Sequence, residues 1–384
     1  MNLRLLLPLF ALCATGLAQT APRARALGVP FDGTPGPIDA ITDVKGVEVG
    51  DTTLIHGEGK LVVGQGPVRT GVTAIFPRGR ADADPVYAGW FSQNGNGEMT
   101  GTTWVEESGF LEGPIGITNT HSVGLVRDSI IAWAVKSGRL AQQPWSLPVV
   151  AETWDGYLND INGFHVQQAD VFSALDTAKA GPVPEGNVGG GTGMVCYGFK
   201  GGDGTASRVV SADAGGYTVG VLVQCNCGRR PQLTIAGVPV GKLIPAAPAT
   251  AILEPEVRGD VGSIIIVVAT DAPLLPGQLK RLARRATMGL ARTGSTSGNS
   301  SGDIFIAFST ANRGAGKEPG PNSVLTVSNE RISPLFQATV EATEEAIVNA
   351  MVGAQTMTGV DGHTVDALPH DKLTDLMKRS PQAR

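Results

Sequence analysis

The sequence is poor in charged, aromatic, histidine and cysteine side chains. Of its 384 residues only 17% are charged and 5% aromatic, and there are five histidines and four cysteines. Lysine and arginine number 30 against 35 aspartates and glutamates, which excludes the basic surface that proteins use to bind nucleic acid. Because 42% of the residues are hydrophobic, the chain can bury a sizeable core, and an intrinsically disordered protein is excluded as well.

Long apolar runs are also missing, except at the N-terminus. No later run approaches the ~18 residues that a membrane span requires. Met1–Ala18 places Arg4 ahead of the apolar run Leu5–Leu12 and ends in the small-residue sequence Gly16-Leu17-Ala18. This order is typical of a secretory signal peptide. We therefore expect a periplasmic or secreted protein that has no membrane contact once residues 1–18 are removed.

Removal of the signal peptide would leave three cysteines, Cys196, Cys225 and Cys227. Alternation along a strand directs Cys225 and Cys227 to one face beside apolar neighbours. No second pair of ligands follows them, as a zinc site would require. The pattern favours structural thiols or one disulfide to Cys196, and we expect no metal and no cofactor.

Glycine is abundant, with 52 residues scattered between short apolar runs, and this indicates many tight turns. Predicted strands cover 46–49, 71–77, 114–118, 148–152, 217–224, 263–270 and 303–309, and predicted helices cover 122–137, 166–179, 276–292 and 334–352. Few long helices among many strands suit stacked sheets covered by helices in one α/β domain. The proline-rich stretch 225–262 is predicted to be a long irregular connection inside that domain.

Two glycine-rich motifs resemble a nucleophile elbow and a phosphate-binding loop, but each has a simpler explanation. Gly298–Gly302 fits G-x-S-x-G, but a nucleophile elbow needs a strand before its serine and a helix after it, and the predicted order is the reverse. His363 or His370 would complete a triad by chain order alone. Gly189–Gly193 lacks the residues of a phosphate-binding loop, so we predict a tight turn.

Ser263 has the most informative position. It follows Gly262 at the end of the irregular connection and opens a fully apolar strand. A break of the backbone between these two residues would leave Ser263 as a new N-terminus. By itself, however, a Gly-Ser pair that opens a strand is usually only a turn.

Six segments in a fixed order make the sequence resemble the self-processing aminopeptidases that include the L-aminopeptidase/D-amidase-esterase and the β-peptidyl aminopeptidases. The resemblance spans nearly all of the chain after the signal peptide. It rests on 114–124 (PIGITNTHSVG), 152–160 (ETWDGYLND), 189–193 (GGGTG), 223–228 (VQCNCG), 262–265 (GSII) and 299–303 (NSSGD). A weaker similarity lies at 41–47 (ITDVKGV).

The resemblance implies a four-layer α/β/β/α sandwich similar to N-terminal-nucleophile hydrolases. It also implies a self-made cut between Gly262 and Ser263, which would give a large subunit, 19–262, and a small one, 263–384. Protomers of these two chains would form a homo-oligomer. The new N-terminal serine would remove L-, D- or β-residues from the N-terminus of short peptides, amides or esters through an acyl-enzyme on Ser263. Its α-amine, with a pKa of about 8, would take the proton from its hydroxyl.

Further site residues follow from the same resemblance. Ser301 and Asp303 would orient the nucleophile, and their spacing across Gly302 directs both side chains to one side at the start of a strand. Asn226 would donate to the oxyanion. The family's second donor is a tyrosine, for which Tyr157 is our preferred match over Trp154.

Two alternatives stay open at this stage. An acyltransferase of the ornithine acetyltransferase type has a similar fold and self-cleavage, but it normally uses threonine at the cut and works in the cytoplasm. A periplasmic binding protein that never splits would have no need for a serine between a loop and a buried strand.

Overall fold

The computed structural model describes residues 22–140, 145–245, 262–316 and 320–380. The predicted signal peptide and residues 246–261 lie outside these ranges. The strands are β1 Glu48–His56, β2 Val68–Phe76, β3 Val86–Ser92, β4 Phe110–Leu111, β5 Ile115–Asn119, β6 Val149–Thr153, β7 Val195–Cys196, β8 Phe199–Lys200, β9 Gly202–Val209, β10 Thr218–Asn226, β11 Ser263–Thr270, β12 Gly302–Ser309, β13 Met357–Thr358 and β14 Thr364–Val365. The helices are α1 Thr102–Ser108, α2 Val123–Lys136, α3 Gln168–Thr177, α4 Val240–Leu243, α5 Pro276–Arg292, α6 Ser333–Gly353 and α7 His370–Arg379.

Two sheets form the centre of the molecule. One has four strands in the order β1-β2-β5-β6, and the other has six in the order β4-β3-β12-β11-β10-β9. Most neighbouring strands are antiparallel, but β5 and β6 are parallel, as are β11 and β12. Helices α2 and α5 make these two parallel connections. β7–β8 and β13–β14 are separate small hairpins.

Three apolar layers separate four layers of secondary structure. Side chains of α2 and α3 pack on the outer face of the four-stranded sheet. The inner faces of both sheets pack together, with Ile117 and Ala151 of one sheet in the same cluster as Ile265 and Val267 of the other. The outer face of the six-stranded sheet is covered by α5 and α6. The predicted α/β/β/α sandwich is therefore confirmed.

This layering explains why β11 is apolar throughout. Ile264, Ile266 and Val268 face the helices, whereas Ile265 and Val267 face the other sheet. A strand covered on both faces has no side that favours polar residues. The predicted bounds of β11 and α5, 263–270 and 276–292, agree with the structure.

Other predicted bounds need correction. The short strand predicted at 46–49 is only the start of β1, and β3 and β9 were not predicted at all. Helix α6 was predicted from its alanine stripe, but two acidic residues outside that stripe, Glu341 and Glu345, are buried as well. Glu345 is ion-paired with buried Arg208, with 2.7 Å between Oε2 and Nη2. Among the described residues no helix is both long and apolar enough to cross a membrane.

Candidate active site

Ser263 is the first residue of β11, which lies between β10 and β12 in the six-stranded sheet. The Gly302 N–H of β12 donates a hydrogen bond to the Ser263 hydroxyl over 3.1 Å. The side chain is buried, with 8% of the residue exposed. Because β11 is a central strand, residues from both neighbouring strands flank the serine, and the sheet brings together Asn226, Ser301 and Asp303 of the predicted site.

Asn226 ends β10 directly opposite Ser263 in the antiparallel register. Directly opposed side chains lie on one face of a sheet with Cβ atoms about 5 Å apart. The Val195 N–H donates to Asn226 Oδ1 over 2.9 Å. Since a backbone N–H can only donate, this bond identifies the amide oxygen and leaves the NH₂ group as the end that can serve a ligand.

Ser301 and Asp303 form a dyad beside the nucleophile. Ser301 Oγ donates to Asp303 Oδ1 over 2.7 Å. Burial raises the pKa of Asp303, while the bond from Ser301 and smaller effects of the Ser297 side chain and the Ile264 N–H lower it. Asp303 Oδ2 is buried and has no hydrogen-bond partner among the described residues. The dyad therefore holds a carboxylate oxygen that can still accept a proton donor.

Strand alternation separates this dyad from the hydroxyl. Residues two apart on a strand point to the same face of the sheet. Ser263 therefore points, like Ile265, toward the other sheet, whereas Asp303 points, like Phe305, toward the helices. Asp303 is in register with Ile264, one residue after the nucleophile. Its side chain thus lies on the opposite face of the sheet from the Ser263 hydroxyl, beside the β11 backbone.

A loop after β3 holds the start of β12 in place, and no sequence signal pointed to it. Asn94 Oδ1 accepts from the Asp303 N–H over 2.7 Å, and the Asn96 N–H donates to the Ser301 carbonyl over 3.2 Å. A Cβ atom at Gly302 would lie 2.4 Å from the Asn96 carbonyl oxygen. Only glycine fits this close approach without displacement of the loop.

Glu152, at the end of β6, borders the same region from the other sheet. It accepts from Thr120 Oγ1 over 2.5 Å and from the Glu98 N–H over 3.0 Å. Burial raises the pKa of Glu152, which these two hydrogen bonds lower. A Cβ atom at Gly97 would lie 3.2 Å from Glu152 Oε1 and 3.1 Å from the Gly302 Cα. Glu152 belongs to the ETWDGYLND segment, but no feature of that segment pointed to a role for it.

The two aromatic candidates occupy different surroundings. The ring of Tyr157 stacks in parallel on that of His363, with 4.4 Å between centroids, and packs against the cluster that contains Val195. Trp154 is 39% exposed and its ring covers Gly156. Through Val195, Tyr157 is linked to the residue that orients Asn226. Its assignment as the second oxyanion donor stays a prediction.

The discounted motifs are placed as expected. No helix follows Ser300, since β12 begins at Gly302. His363 Nδ1 lies 3.1 Å from the Tyr157 carbonyl and His370 Nε2 lies 2.9 Å from the Val352 carbonyl, so both rings are bonded to backbone away from the serine. Gly189–Gly191 forms a 3₁₀ turn. Within the described ranges no group of three or more His, Cys, Asp or Glu side chains could hold a metal ion.

A small depression, with room for about one water molecule, lies beside the dyad. Its lining includes Gly228, Arg229, Gly262, Gly298 and Ser301. Gly262 and Ser301 belong to the predicted site, so this depression lies next to the Gly262–Ser263 bond.

Known proteins are similar to this chain in sequence and in fold. Residues 39–365 match peptidase family S58. The chain belongs to this family. It is 55% identical over 380 residues to a β-peptidyl aminopeptidase of Sphingosinicella microcystinivorans, a match that covers 96% of this chain and 95% of that protein. A β-peptidyl aminopeptidase of Sphingosinicella xenopeptidilytica is 50% identical over 393 residues, with 97% and 96% coverage.

Solved structures of similar proteins agree with this S58 assignment. The L-aminopeptidase D-Ala-esterase/amidase of Ochrobactrum anthropi, a variant of the Ntn-hydrolase fold, has a TM-score of 0.87 and 48% identity, and the match covers 94% of this chain and 100% of that one. A β-aminopeptidase of Burkholderia sp. has a TM-score of 0.84 and 48% identity, with 94% and 99% coverage. The S58 chain is thus a hydrolase, a serine aminopeptidase with an Ntn-type fold, and the resemblance inferred from its segments is confirmed.

Proposed function

We propose that the chain cuts itself between Gly262 and Ser263 and that the new N-terminal serine then removes N-terminal residues, β-residues among them, from short peptides and amides. The observation that carries this proposal is the position of Ser263. Its hydroxyl is held by the Gly302 N–H at the start of a central strand and lies opposite Asn226, while the Ser301–Asp303 dyad lies beside its backbone on the other face of the sheet.

The surroundings of Gly262 support the self-cleavage step. A Cβ atom at Gly262 would lie 2.9 Å from the Cys227 Cα and 3.0 Å from the Asn226 carbonyl oxygen. The residue before the cut is therefore pressed against the strand that carries Asn226. Attack of Ser263 Oγ on the Gly262 carbonyl forms an ester, as the bond to the Ser263 nitrogen breaks and that nitrogen takes up a proton. That step already frees the α-amine of Ser263. Water then hydrolyses the ester, which frees the serine hydroxyl and leaves Gly262 with a C-terminal carboxylate.

Substrate cleavage uses the same groups with one addition. The free α-amine of Ser263 accepts the hydroxyl proton as Oγ attacks the substrate carbonyl, and it returns the proton to the leaving amine. The Asn226 amide donates to the oxyanion. The buried, unpartnered Asp303 Oδ2 is placed to accept from the ammonium form of the α-amine, which lies at the backbone end of the residue. Water hydrolyses the resulting acyl-enzyme.

Recognition of a free amine needs a negative charge at the site, and Glu152 is the acid that borders it. Its carboxylate lies across Gly97 from Gly302, on the inner side where Ser263 also points. A substrate ammonium bound there would replace water lost by the buried carboxylate. The similarity to two β-peptidyl aminopeptidases supports β-residues as substrates of this chain.

Denaturing electrophoresis and N-terminal sequencing of the purified protein test the proposal. We expect two fragments, the smaller of which begins at Ser263, and a single uncut chain in the Ser263→Ala variant. Ser300→Ala is the matched control, because Ser300 is the serine of the G-x-S-x-G motif; this variant should process and cleave a β-residue p-nitroanilide normally. A Ser263→Ala chain that still yields a fragment beginning at residue 263 would refute the proposal.

We also propose that the protein is exported to the periplasm or secreted and that its two-chain protomers form a homo-oligomer. The sequence of residues 1–18 supports export. N-terminal sequencing of the larger fragment from the exported fraction should give a sequence that begins at Gln19. The mass of the native particle, measured by light scattering, should be a multiple of the mass of one two-chain protomer. An intact Met1 or a protomer-sized particle would contradict the respective expectation.

A further inference from the structure

Three buried thiols surround the strand end that carries Asn226. Cys225 and Cys227 flank Asn226 in the chain, and Cys196 belongs to β7. All three are free thiols in this structure, and each is at most 2% exposed. Cys196 Sγ and Cys227 Sγ lie 3.3 Å apart. The aminopeptidase chemistry described above uses none of them.

The contact between these two sulfurs joins the segments that orient Asn226. Val195, the residue before Cys196, donates its N–H to Asn226 Oδ1 over 2.9 Å. Tyr197, the residue after Cys196, donates its N–H to the Cys227 carbonyl over 2.6 Å. Any change in the spacing of Cys196 and Cys227 therefore alters the position of the Asn226 amide.

We propose that Cys196 and Cys227 form a disulfide that positions Asn226 for oxyanion binding, an effect that rests on the role proposed for Asn226 above. The two sulfurs need to approach by only about 1 Å to reach the bonded distance. Cys225 stays a thiol, because Cys227 is the cysteine whose sulfur contacts Cys196 Sγ at 3.3 Å. A bond between Cys225 and Cys227 is disfavoured as well, since their Cα atoms lie roughly 6.6 Å apart on one extended segment, near the upper limit for a disulfide.

Formation of the bond is a thiol–disulfide exchange. One cysteine thiolate attacks the disulfide of a small molecule or an oxidoreductase in the exporting compartment, and the second thiolate displaces that carrier from the mixed disulfide. The cysteine pair loses two electrons and two protons, and the carrier leaves as the dithiol. Although burial raises the pKa of Cys196, hydrogen bonds with Cys225 and Cys227 and the nearby Lys200 charge lower it well below the ordinary value. Because the thiols are buried in the folded chain, the exchange takes place while the protein folds.

Counting thiols in the exported protein tests for the bond itself. Denatured protein should react with iodoacetamide at one cysteine, Cys225, and at three after reduction, and peptide mass mapping should show Cys196 linked to Cys227. The same count is expected for the uncut Ser263→Ala chain, because both cysteines lie before the cut. Three reactive thiols before reduction, or a bond to Cys225, would overturn the proposal without bearing on self-cleavage.

The positioning effect needs a measurement that packing changes do not move. Wild type that has folded in the presence of dithiothreitol should melt about 5 °C lower than wild type folded without it, with a kcat roughly threefold lower and KM unchanged. The Cys225→Ala control should respond to dithiothreitol like the wild type, whereas Cys196→Ala and Cys227→Ala should not respond. A fall in melting temperature with no fall in kcat would overturn the positioning role, and a response retained in Cys196→Ala would overturn the pairing.

Discussion

At the scale of single residues, Asn226 combines two functions in one amide. Its oxygen accepts from Val195 and its NH₂ group stays available, opposite Ser263 in the register. We expect Asn226→Asp to lower kcat by on the order of a hundredfold or more in processed enzyme, because the donor is lost while the acceptor for Val195 remains.

Asn226→Ala should lower kcat at least as much and also reduce stability, since it leaves the Val195 N–H without its partner. Rates are measured with a β-residue p-nitroanilide on fully cut protein; near-normal turnover of Asn226→Asp would remove Asn226 from the site.

Glu152 determines a second prediction, which concerns pH. A carboxyl with a raised pKa stays protonated to a higher pH than usual, so its negative charge is lost as pH falls through that raised value. The acid limb of kcat/KM for a free-amine substrate should therefore lie above 4.5, the ordinary pKa of glutamate.

Glu152→Gln should lower kcat/KM more than tenfold and abolish that limb, because the glutamine amide is neutral at every pH in this range and has no proton to gain or lose. Self-cleavage should continue in this variant, because Glu152 binds the free amine of a substrate and the self-cleavage step has no such amine to bind. The measurement is a pH profile of kcat/KM for both enzymes. An acid limb that is unchanged in Glu152→Gln would assign it to another group.

At the scale of elements, the start of β12 depends on its close contact with the loop after β3. A Cβ at Gly302 would lie 2.4 Å from the Asn96 carbonyl oxygen. Gly302→Ala should displace the N–H that donates to Ser263, slow self-cleavage at least tenfold, and reduce the free energy of unfolding by about 1–3 kcal/mol. Gly277→Ala in α5 is the matched control, because its Cβ would meet nothing within 4 Å.

The readouts for this pair are the fraction of cut chain over time and, with each change also made in the uncut Ser263→Ala chain, urea unfolding. Gly277→Ala should process normally and be as stable as the wild type or slightly more so, since alanine favours a helix over glycine. If Gly302→Ala processes at the rate of Gly277→Ala, the close contact has no part in placing the serine.

Strand β9, which sequence patterns missed, has polar side chains that are buried. β9 contains Asp203, Thr205, Ser207 and Arg208, which indicate an exposed segment by composition, yet all four are buried. Arg208 is buried because Glu345 of α6 pairs with it, and Thr205 Oγ1 donates to the Val221 carbonyl. A hydrophobic pattern cannot detect a strand whose polar side chains find their partners on distant elements.

At the scale of the whole molecule, the proposed cut passes through a shared sheet. The smaller fragment would contribute β11 and β12, which lie between β10 and β3 of the larger one. Eight register pairs join β10 to β11, and both faces of the sheet are buried. The fragments should therefore stay together through gel filtration and separate only in denaturant.

Size-exclusion chromatography in buffer and in 6 M guanidinium tests this expectation. Residues 263–384 expressed alone should be insoluble or unfolded by circular dichroism, because β11 and β12 would lose strand partners on both sides. Release of a folded small fragment in plain buffer would contradict the architecture.

The sequence by itself determined the fold class, the bounds of β11 and α5, and the family, because apolar runs and ordered segments are local properties of the chain. It also placed Ser263 at the opening of a buried strand. Only the tertiary structure decided which face each side chain uses: it set Asn226 opposite Ser263 and put Asp303 on the other side of the sheet. Glu152 and the Asn94–Gly97 loop enter the site from the other sheet and from β3, and the pairing of strands far apart in sequence is what brings them there.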